Sequence, residues 1–115
     1  KDAEAIGLLL EAIELDTNGS AILHSNLGFL YLRQQNTDAA MEHLVKATHL
    51  DPSNAQAQNN LGLAHASVAR YAEAVVCFKR ALQIDPGYAN ASQNLDRALA
   101  ALEQASVVGG SVGEP

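Results

Sequence analysis

Residues 26–52 read NLGFLYLRQQNTDAAMEHLVKATHLDP, and residues 60–86 read NLGLAHASVARYAEAVVCFKRALQIDP. The two stretches align without a gap at an offset of 34 residues, each beginning with Asn-Leu-Gly and ending with Asp-Pro. A third Asn-Leu pair, Asn94-Leu95, follows at the same offset. The second half of the unit also occurs upstream, with one extra residue in the turn at 17–20, as Ala5, Leu9, Ala12 and Leu15. A period of this length is typical of repeat proteins, in which each unit buries its apolar face against the next.

The apolar residues of each unit recur with the period of an α-helix. Leu23, Leu27 and Leu30, for example, share one helical face. Segments rich in Asn, Asp, Pro, Ser and Thr separate these stretches, because Pro removes a backbone donor and short polar side chains cap the following helix. The pattern therefore predicts helices over about 2–16, 20–34, 37–50, 54–68, 71–84 and 88–106.

One series of residue types occurs in both complete copies of the repeat. The first copy has His24, Leu27-Gly28, Tyr31, Ala40, Leu44 and Pro52, and the second has Gln58, Leu61-Gly62, His65, Ala74, Phe78 and Pro86. This series resembles the tetratricopeptide repeat, whose pattern is a large residue, Leu-Gly, Tyr, Ala, Phe and Pro. The departures are His24 and Gln58 at the large residue, His65 at Tyr and Leu44 at Phe.

The resemblance implies an all-α fold, a right-handed superhelical stack of antiparallel helix hairpins. In this α-solenoid we expect a half repeat at 1–19, full repeats at 20–54 and 55–88, and a capping helix at 89–106. Residues 107–115 contain three glycines before Glu114 and lack a helical period, so they are expected to form a flexible tail.

Gly28 and Gly62 lie in the middle of predicted helices, where glycine costs about 1 kcal/mol relative to alanine. A close approach of the partner helix would compensate for this cost, and Ala40 and Ala74 are expected to form the other side of that contact. Asp96 occupies the same place in the last helix, which has no hairpin partner after it, so a polar residue is tolerated there.

Composition argues against several classes of function. Seven basic against thirteen acidic residues give a net charge of -6, and no basic cluster is available to neutralise nucleic-acid phosphates or an anionic membrane surface. No apolar run approaches the roughly 20 residues that span a bilayer, so membrane insertion is not expected. Cys77, the only cysteine, is expected to be a small buried apolar residue. The four histidines, which are His24, His43, His49 and His65, lack the spacing of a metal site. We expect neither catalysis nor a cofactor.

In the family that the chain resembles, the first helix of each hairpin lines a concave groove that binds a peptide or a helix of a partner protein. Carried onto this sequence by the repeat offset, the groove candidates are Ile22, Ser25, Asn26, Phe29 and Arg33 in the first copy, Gln56, Asn59, Asn60 and Leu63 in the second, and Asn90, Gln93, Asn94 and Arg97 in the last. Phe29 and Leu63 are the expected apolar anchors. The family's set of lysines and arginines that clamps the carboxylate terminus of heat-shock chaperones is not present, since Arg33 and Arg97 stand isolated among Ser25, Gln56, Asn59 and Gln93.

Asn26, Asn60 and Asn94 recur once per hairpin, and each amide offers a donor and an acceptor that match a peptide unit. One interpretation is a ladder that holds an extended ligand backbone, similar to the repeat domain of O-linked N-acetylglucosamine transferases. The other is that these amides bond water or a neighbouring helix.

The favoured function is a protein-interaction scaffold with a protein or peptide partner. A first alternative is the non-catalytic, substrate-recruiting repeat region of a larger enzyme such as a glycosyltransferase. A second is self-association into a homodimer through the amino-terminal helix, whose apolar stripe (Ile6, Leu9, Leu10, Ile13) would be covered on one side only. Because residues 2–16 resemble the second helix of a hairpin without its first, we expect further repeats upstream.

Overall fold

The computed structural model describes residues 1–15 and 20–113, and within them all regular structure is helical. The helices are α1 (Asp2–Leu15), α2 (Ala21–Arg33), α3 (Thr37–Leu50), α4 (Ala55–Ser67), α5 (Tyr71–Ile84) and α6 (Ala89–Gly113). The predicted all-α stack of helix hairpins is thereby confirmed. Most of the turn expected at 17–20, together with the last residue of the predicted first helix, lies outside the described residues.

Short polar side chains begin three of the helices. Ser20, Asn36 and Asn54 each accept a hydrogen bond from the backbone N–H three residues further along, at 3.2, 3.4 and 3.1 Å. Each bond satisfies one of the amides that a helix leaves without an internal partner. These caps are why α2, α3 and α4 begin close to the residues that the sequence predicts.

Two helices end in the same unusual backbone conformation. Gln35 after α2 and Ala69 after α4 have φ angles of 61° and 62°, in the left-handed region that favours glycine. This conformation lets the N–H of the next residue donate to the carbonyls of Tyr31 and His65, at 2.9 Å in both copies. The positive φ therefore turns the chain sharply into the second helix of each hairpin.

The glycines of α2 and α4 allow the hairpin helices to approach closely. A Cβ placed on Gly28 would lie 2.5 Å from Leu44 Cγ, and one on Gly62 would lie 2.5 Å from Phe78 Cε1. The predicted close approach is confirmed, and the three atoms nearest to each added Cβ belong to Leu44 and Phe78. Asp96, at the same place in α6, is exposed, as predicted for a helix with no further partner.

Alanine and branched aliphatic residues make up most of the core. Leu27, Leu44 and Phe78 are its largest fully buried apolar side chains. Cys77 is 4% exposed and lies in one buried cluster with Ala40, Leu44, Leu61 and Ala64. Its predicted role as a small buried apolar residue is confirmed, and burial raises the pKa of its thiol.

The helices form an elongated stack. Its extents are 59 × 29 × 22 Å, and its radius of gyration is 15.7 Å, against about 13 Å for a compact domain of roughly 100 residues. The first helices α2, α4 and α6 contact one another in turn, whereas α1, α3 and α5 contact only first helices. Closer packing on one side curves the stack towards α2, α4 and α6, so these helices line the concave surface.

The two ends of the stack differ from each other. At the amino-terminal end α1 packs against α2 alone, burying Ile6 but leaving Leu8 67% and Leu15 84% exposed. The expectation that this helix is covered on one side only is confirmed. At the other end α6 continues past the predicted boundary at 106 to Gly113. No proline interrupts it before Pro115, and each glycine costs a helix only about 1 kcal/mol.

No helix in the described part of the chain has the length and apolarity that crossing a membrane requires.

Candidate functional site

An open groove of about 330 Å³ lies on the concave surface, mainly between α4 and α6. The lining residues are Phe29, Gln56, Asn59, Asn60, Leu63, Tyr88, Asn90, Gln93, Asn94 and Arg97. Because side chains three and four positions apart share a helical face, residues 56, 59, 60 and 63 of α4 all point into it. The structure therefore brings most of the predicted groove residues together in one cavity.

The other predicted residues, all from α2, lie outside this cavity. Ile22 is 64% exposed, and Ser25 is buried between helices. Asn26 lines a neighbouring, largely apolar cleft with Leu8, Leu9 and other residues of α1 and α2. Arg33 forms an ion pair with Asp2 of α1, with 3.3 Å between Nε and Oδ2. The packing of α1 against α2 accounts for the last two differences.

Tyr88 lines the groove although the sequence analysis omits it. It immediately precedes α6, at the repeat position held by the capping residues Ser20 and Asn54 in the earlier copies. An aromatic residue at a position that capping residues hold in the other copies was the feature of the sequence that could have indicated Tyr88 as a groove residue. The groove candidates were chosen by their spacing from Asn26 and its repeat equivalents, and Tyr88 does not have that spacing from Asn94.

Two side-chain hydrogen bonds join the first helices along the groove. Asn60 Nδ2 donates to Ser25 Oγ at 3.4 Å, and Asn94 Nδ2 donates to Asn59 Oδ1 at 3.0 Å. Asn60 is only 3% exposed. At these two positions the amides bond a neighbouring helix, which is the second of the two interpretations drawn from the sequence. They hold α2, α4 and α6 in register and so position the groove wall.

The groove is polar but almost uncharged. Arg97 is its only charged lining residue among those described, and it occupies the repeat position of Phe29 and Leu63. The exposed polar residues are the neutral amides Gln56, Asn90 and Gln93. Phe29 is 40% exposed at the edge of the groove. Such a surface can donate and accept hydrogen bonds along an extended peptide while giving its side chains an apolar contact.

A second polar cluster lies inside the first full hairpin. His24 Nδ1 and His43 Nδ1 are 3.0 Å apart, so one nitrogen donates and the other accepts, and the rings stack at 5.3 Å. Tyr31 also stacks with His43, with 5.7 Å between the ring centroids. Burial, and then the charge of His24, lowers the pKa of His43; Glu42 opposes this shift and Lys46 adds to it. Within the described residues no three His, Cys, Asp or Glu side chains are grouped so as to hold a metal ion.

Two family models match the chain. One, described as tetratricopeptide repeat, matches residues 55–88, and the other, described as TPR repeat, matches residues 30–68. Together they cover residues 30–88. Comparison with curated proteins gave no match.

Solved structures show the same fold. The first TPR domain of human RPAP3 is 24% identical with a TM-score of 0.86, covering 90% of this chain and 81% of that one. The Arabidopsis OM64 TPR domain is 27% identical with a TM-score of 0.82, and the match covers 86% of this chain and 81% of that one. The second TPR domain of human RPAP3, solved in complex with the HSP70 peptide SGPTIEEVD, is 28% identical with a TM-score of 0.78. The match covers 85% of this chain and 81% of that one.

Proposed function

Because this chain belongs to the tetratricopeptide repeat family, we propose that it is a protein-interaction module whose concave groove binds an extended peptide segment of a partner protein. The observation that carries the proposal is the row of exposed, neutral amides beside two apolar side chains in one open groove. The second TPR domain of RPAP3, which has the same fold, is solved with a peptide bound. That precedent supports a peptide as the class of ligand.

The groove residues divide into two roles in this proposal. Gln56, Asn90 and Gln93 are exposed and would bond the peptide backbone, while Phe29 and Leu63 would contact its side chains. Asn59, Asn60 and Asn94 act mainly by positioning, since their amides already join neighbouring helices. The asparagine ladder is therefore proposed as part of the groove wall, and the exposed amides are proposed as the ligand contacts.

The charge of the groove sets an expectation for the ligand. An acidic peptide would find only Arg97 as a cation among the described lining residues, because Arg33 lies outside the groove. We therefore expect SGPTIEEVD to bind in the groove no more tightly than an amidated peptide of the same length in which Gln and Asn replace its acidic residues. Nuclear magnetic resonance titrations with the two peptides measure this at the side-chain amides of Gln56, Asn90 and Gln93, so that only binding in the groove is counted. A clear preference for the acidic peptide would show that the groove recognises carboxylates.

The test of the proposed function is a selection of displayed random peptides, repeated on two variants. Gln93→Glu puts a carboxylate in the groove without changing the size of the side chain, and Gln104→Glu makes the same change on an exposed part of α6 that does not line it. Peptides selected on the parent chain should lose about tenfold in affinity for Gln93→Glu, equivalent to one or two hydrogen bonds. They should bind Gln104→Glu as before. Failure to select any peptide, or equal losses in both variants, would overturn the proposal.

Self-association is a second candidate function, favoured by the exposed apolar side chains of α1. Leu8 and Leu15 are 67% and 84% exposed, and the neighbouring cleft is lined mainly by apolar residues. A homodimer through this helix should dissociate on dilution in sedimentation equilibrium, and Leu8→Glu should shift the chain towards monomer. A parent chain that is monomeric at all concentrations would exclude it.

A further inference from the structure

A second cleft lies between α3 and α5, away from the groove. It encloses about 430 Å³ and is lined by Thr48, His49, Pro52, Gln58, Arg80, Gln83 and Ile84. The cleft exists because α3 and α5 do not contact each other, so that α4 forms its floor. Gln58 lies on the face of α4 opposite to Gln56, Asn60 and Leu63, since it is separated from them by about half a helical turn. The cleft is therefore spatially distinct from the groove.

The floor of the cleft carries a buried acceptor, the side-chain oxygen of Gln58. Gln58 is 6% exposed, and among the residues that the structure describes its Oε1 has no hydrogen-bond partner. Buried carbonyl oxygens in native proteins are nearly always bonded, because losing water without replacement is unfavourable. A ligand that supplies an N–H at this place would satisfy Gln58.

The wall of the cleft carries donors. Arg80 forms no ion pair within the described residues, and its guanidinium presents several N–H groups in a geometry that matches a carboxylate. His49 and Gln83 add further polar side chains, and none of the described lining residues is Asp or Glu. This combination of donors favours a negatively charged group over a cation.

We propose that this outer cleft, defined by Gln58, Arg80 and their neighbours, is a second binding site that takes an acidic segment of a peptide. An Asp or Glu carboxylate of the segment accepts hydrogen bonds from Arg80. A backbone N–H of the same segment donates to Gln58 Oε1. Pro52 and Ile84 provide apolar contact for its aliphatic part.

The equivalent cleft one repeat earlier explains why only one of the two is open to such a ligand. It is lined by His24, Val45, Lys46, His49 and Leu50. There His24, at the repeat position of Gln58, already bonds His43. Lys46, at the position of Arg80, pairs with Glu42 at 3.5 Å. In that cleft the chain itself supplies the partners that Gln58 and Arg80 lack.

Nuclear magnetic resonance on the whole chain tests the proposal. The probe is acetyl-Ala-Glu-Ala-Glu-Ala-amide, compared with the same peptide carrying Gln in place of Glu. The acidic peptide should shift the side-chain signals of Gln58 and Arg80 in a saturable manner at millimolar concentration, and the neutral peptide should not. No shift with the acidic peptide, or equal shifts with both peptides, would overturn the proposal.

Three variants separate specific binding from general attraction by charge. Arg80→Gln should weaken binding of the acidic peptide about tenfold, the loss expected for one charge-assisted hydrogen bond. Gln58→Met keeps the volume but removes the acceptor, and it should weaken binding about fivefold. Lys79→Gln removes the same charge from an exposed neighbour outside the cleft and should change affinity by less than about twofold. Equal losses of affinity in the Lys79 and Arg80 variants would refute a specific binding site in the cleft. Unchanged unfolding curves confirm that each variant is folded.

Discussion

The substitution Gly62→Ala tests the packing on which the hairpin stack depends. An added Cβ would lie 2.5, 2.7 and 2.9 Å from three ring carbons of Phe78. Contacts this short require movement, and the ring has little room to move because Phe78 is 1% exposed and packs with Ala74, Val75 and Ala98. We therefore expect the methyl group to be destabilising although it is small.

Two opposing terms set the size of the effect. Overpacking a well-filled core costs roughly 1–3 kcal/mol, whereas replacing a mid-helix glycine by alanine gains about 1 kcal/mol. The free energy of unfolding should therefore fall by about 1 kcal/mol in Gly62→Ala. Urea denaturation measures it, with an unchanged m value showing that the folded state stays equally compact.

Gly7→Ala is the matched control. A Cβ on Gly7 meets no atom within 4 Å, so only the gain in helix propensity applies, and this variant should be stabilised by up to about 1 kcal/mol. In a Phe78→Ala background the obstructing ring is absent, and Gly62→Ala should no longer destabilise the chain. If Gly62→Ala stabilised the parent chain as Gly7→Ala does, the close approach of α4 and α5 would not be the reason for the glycine.

Three further perturbations follow from individual contacts. Asn60→Ala should lower the free energy of unfolding by about 1–2 kcal/mol in urea, because its buried amide joins α4 to α2. Acidification through about pH 6.5 should lower the free energy of unfolding, because His43 has a lowered pKa in the folded chain and is therefore protonated more readily in the unfolded chain. Urea unfolding of His43→Gln should depend less on pH. Ala69→Gly should raise the melting temperature through a gain of about 1 kcal/mol, because the residue has a φ of 62°.

Each of these has a control of the same residue type. Asn90→Ala, on the exposed side of the groove, should leave stability nearly unchanged, and a loss equal to that of Asn60→Ala would contradict the role given to the buried amide. His49→Gln, exposed on the same helix as His43, should keep the pH dependence. Ala72→Gly lies in regular helix and should be destabilised by about 1 kcal/mol, the opposite sign to Ala69→Gly.

The repeat offset predicts the location of some groove residues correctly and of others wrongly. Positions Phe29, Leu63 and Arg97 are 34 residues apart, and the structure places all three beside one cavity, as the offset predicts. Arg33 was projected in the same way but pairs with Asp2 instead. The equivalent positions one repeat later, Thr37 and Ser67, are also joined by a hydrogen bond, at 3.2 Å. This place on the repeat therefore belongs to the contact between successive hairpins and not to the groove.

By itself the sequence determined the helices, the hairpins and the close approach at each glycine. These depend on local side-chain periodicity, on capping residues and on a motif that recurs every 34 positions, all of which are visible along the chain. Only the tertiary structure decided that Asn60 and Asn94 bond neighbouring helices, and that a cleft with Gln58 in its floor lies between α3 and α5. The physical reason is that hydrogen bonding and burial depend on distances between different helices. Residues of one type at equivalent repeat positions can therefore have different partners.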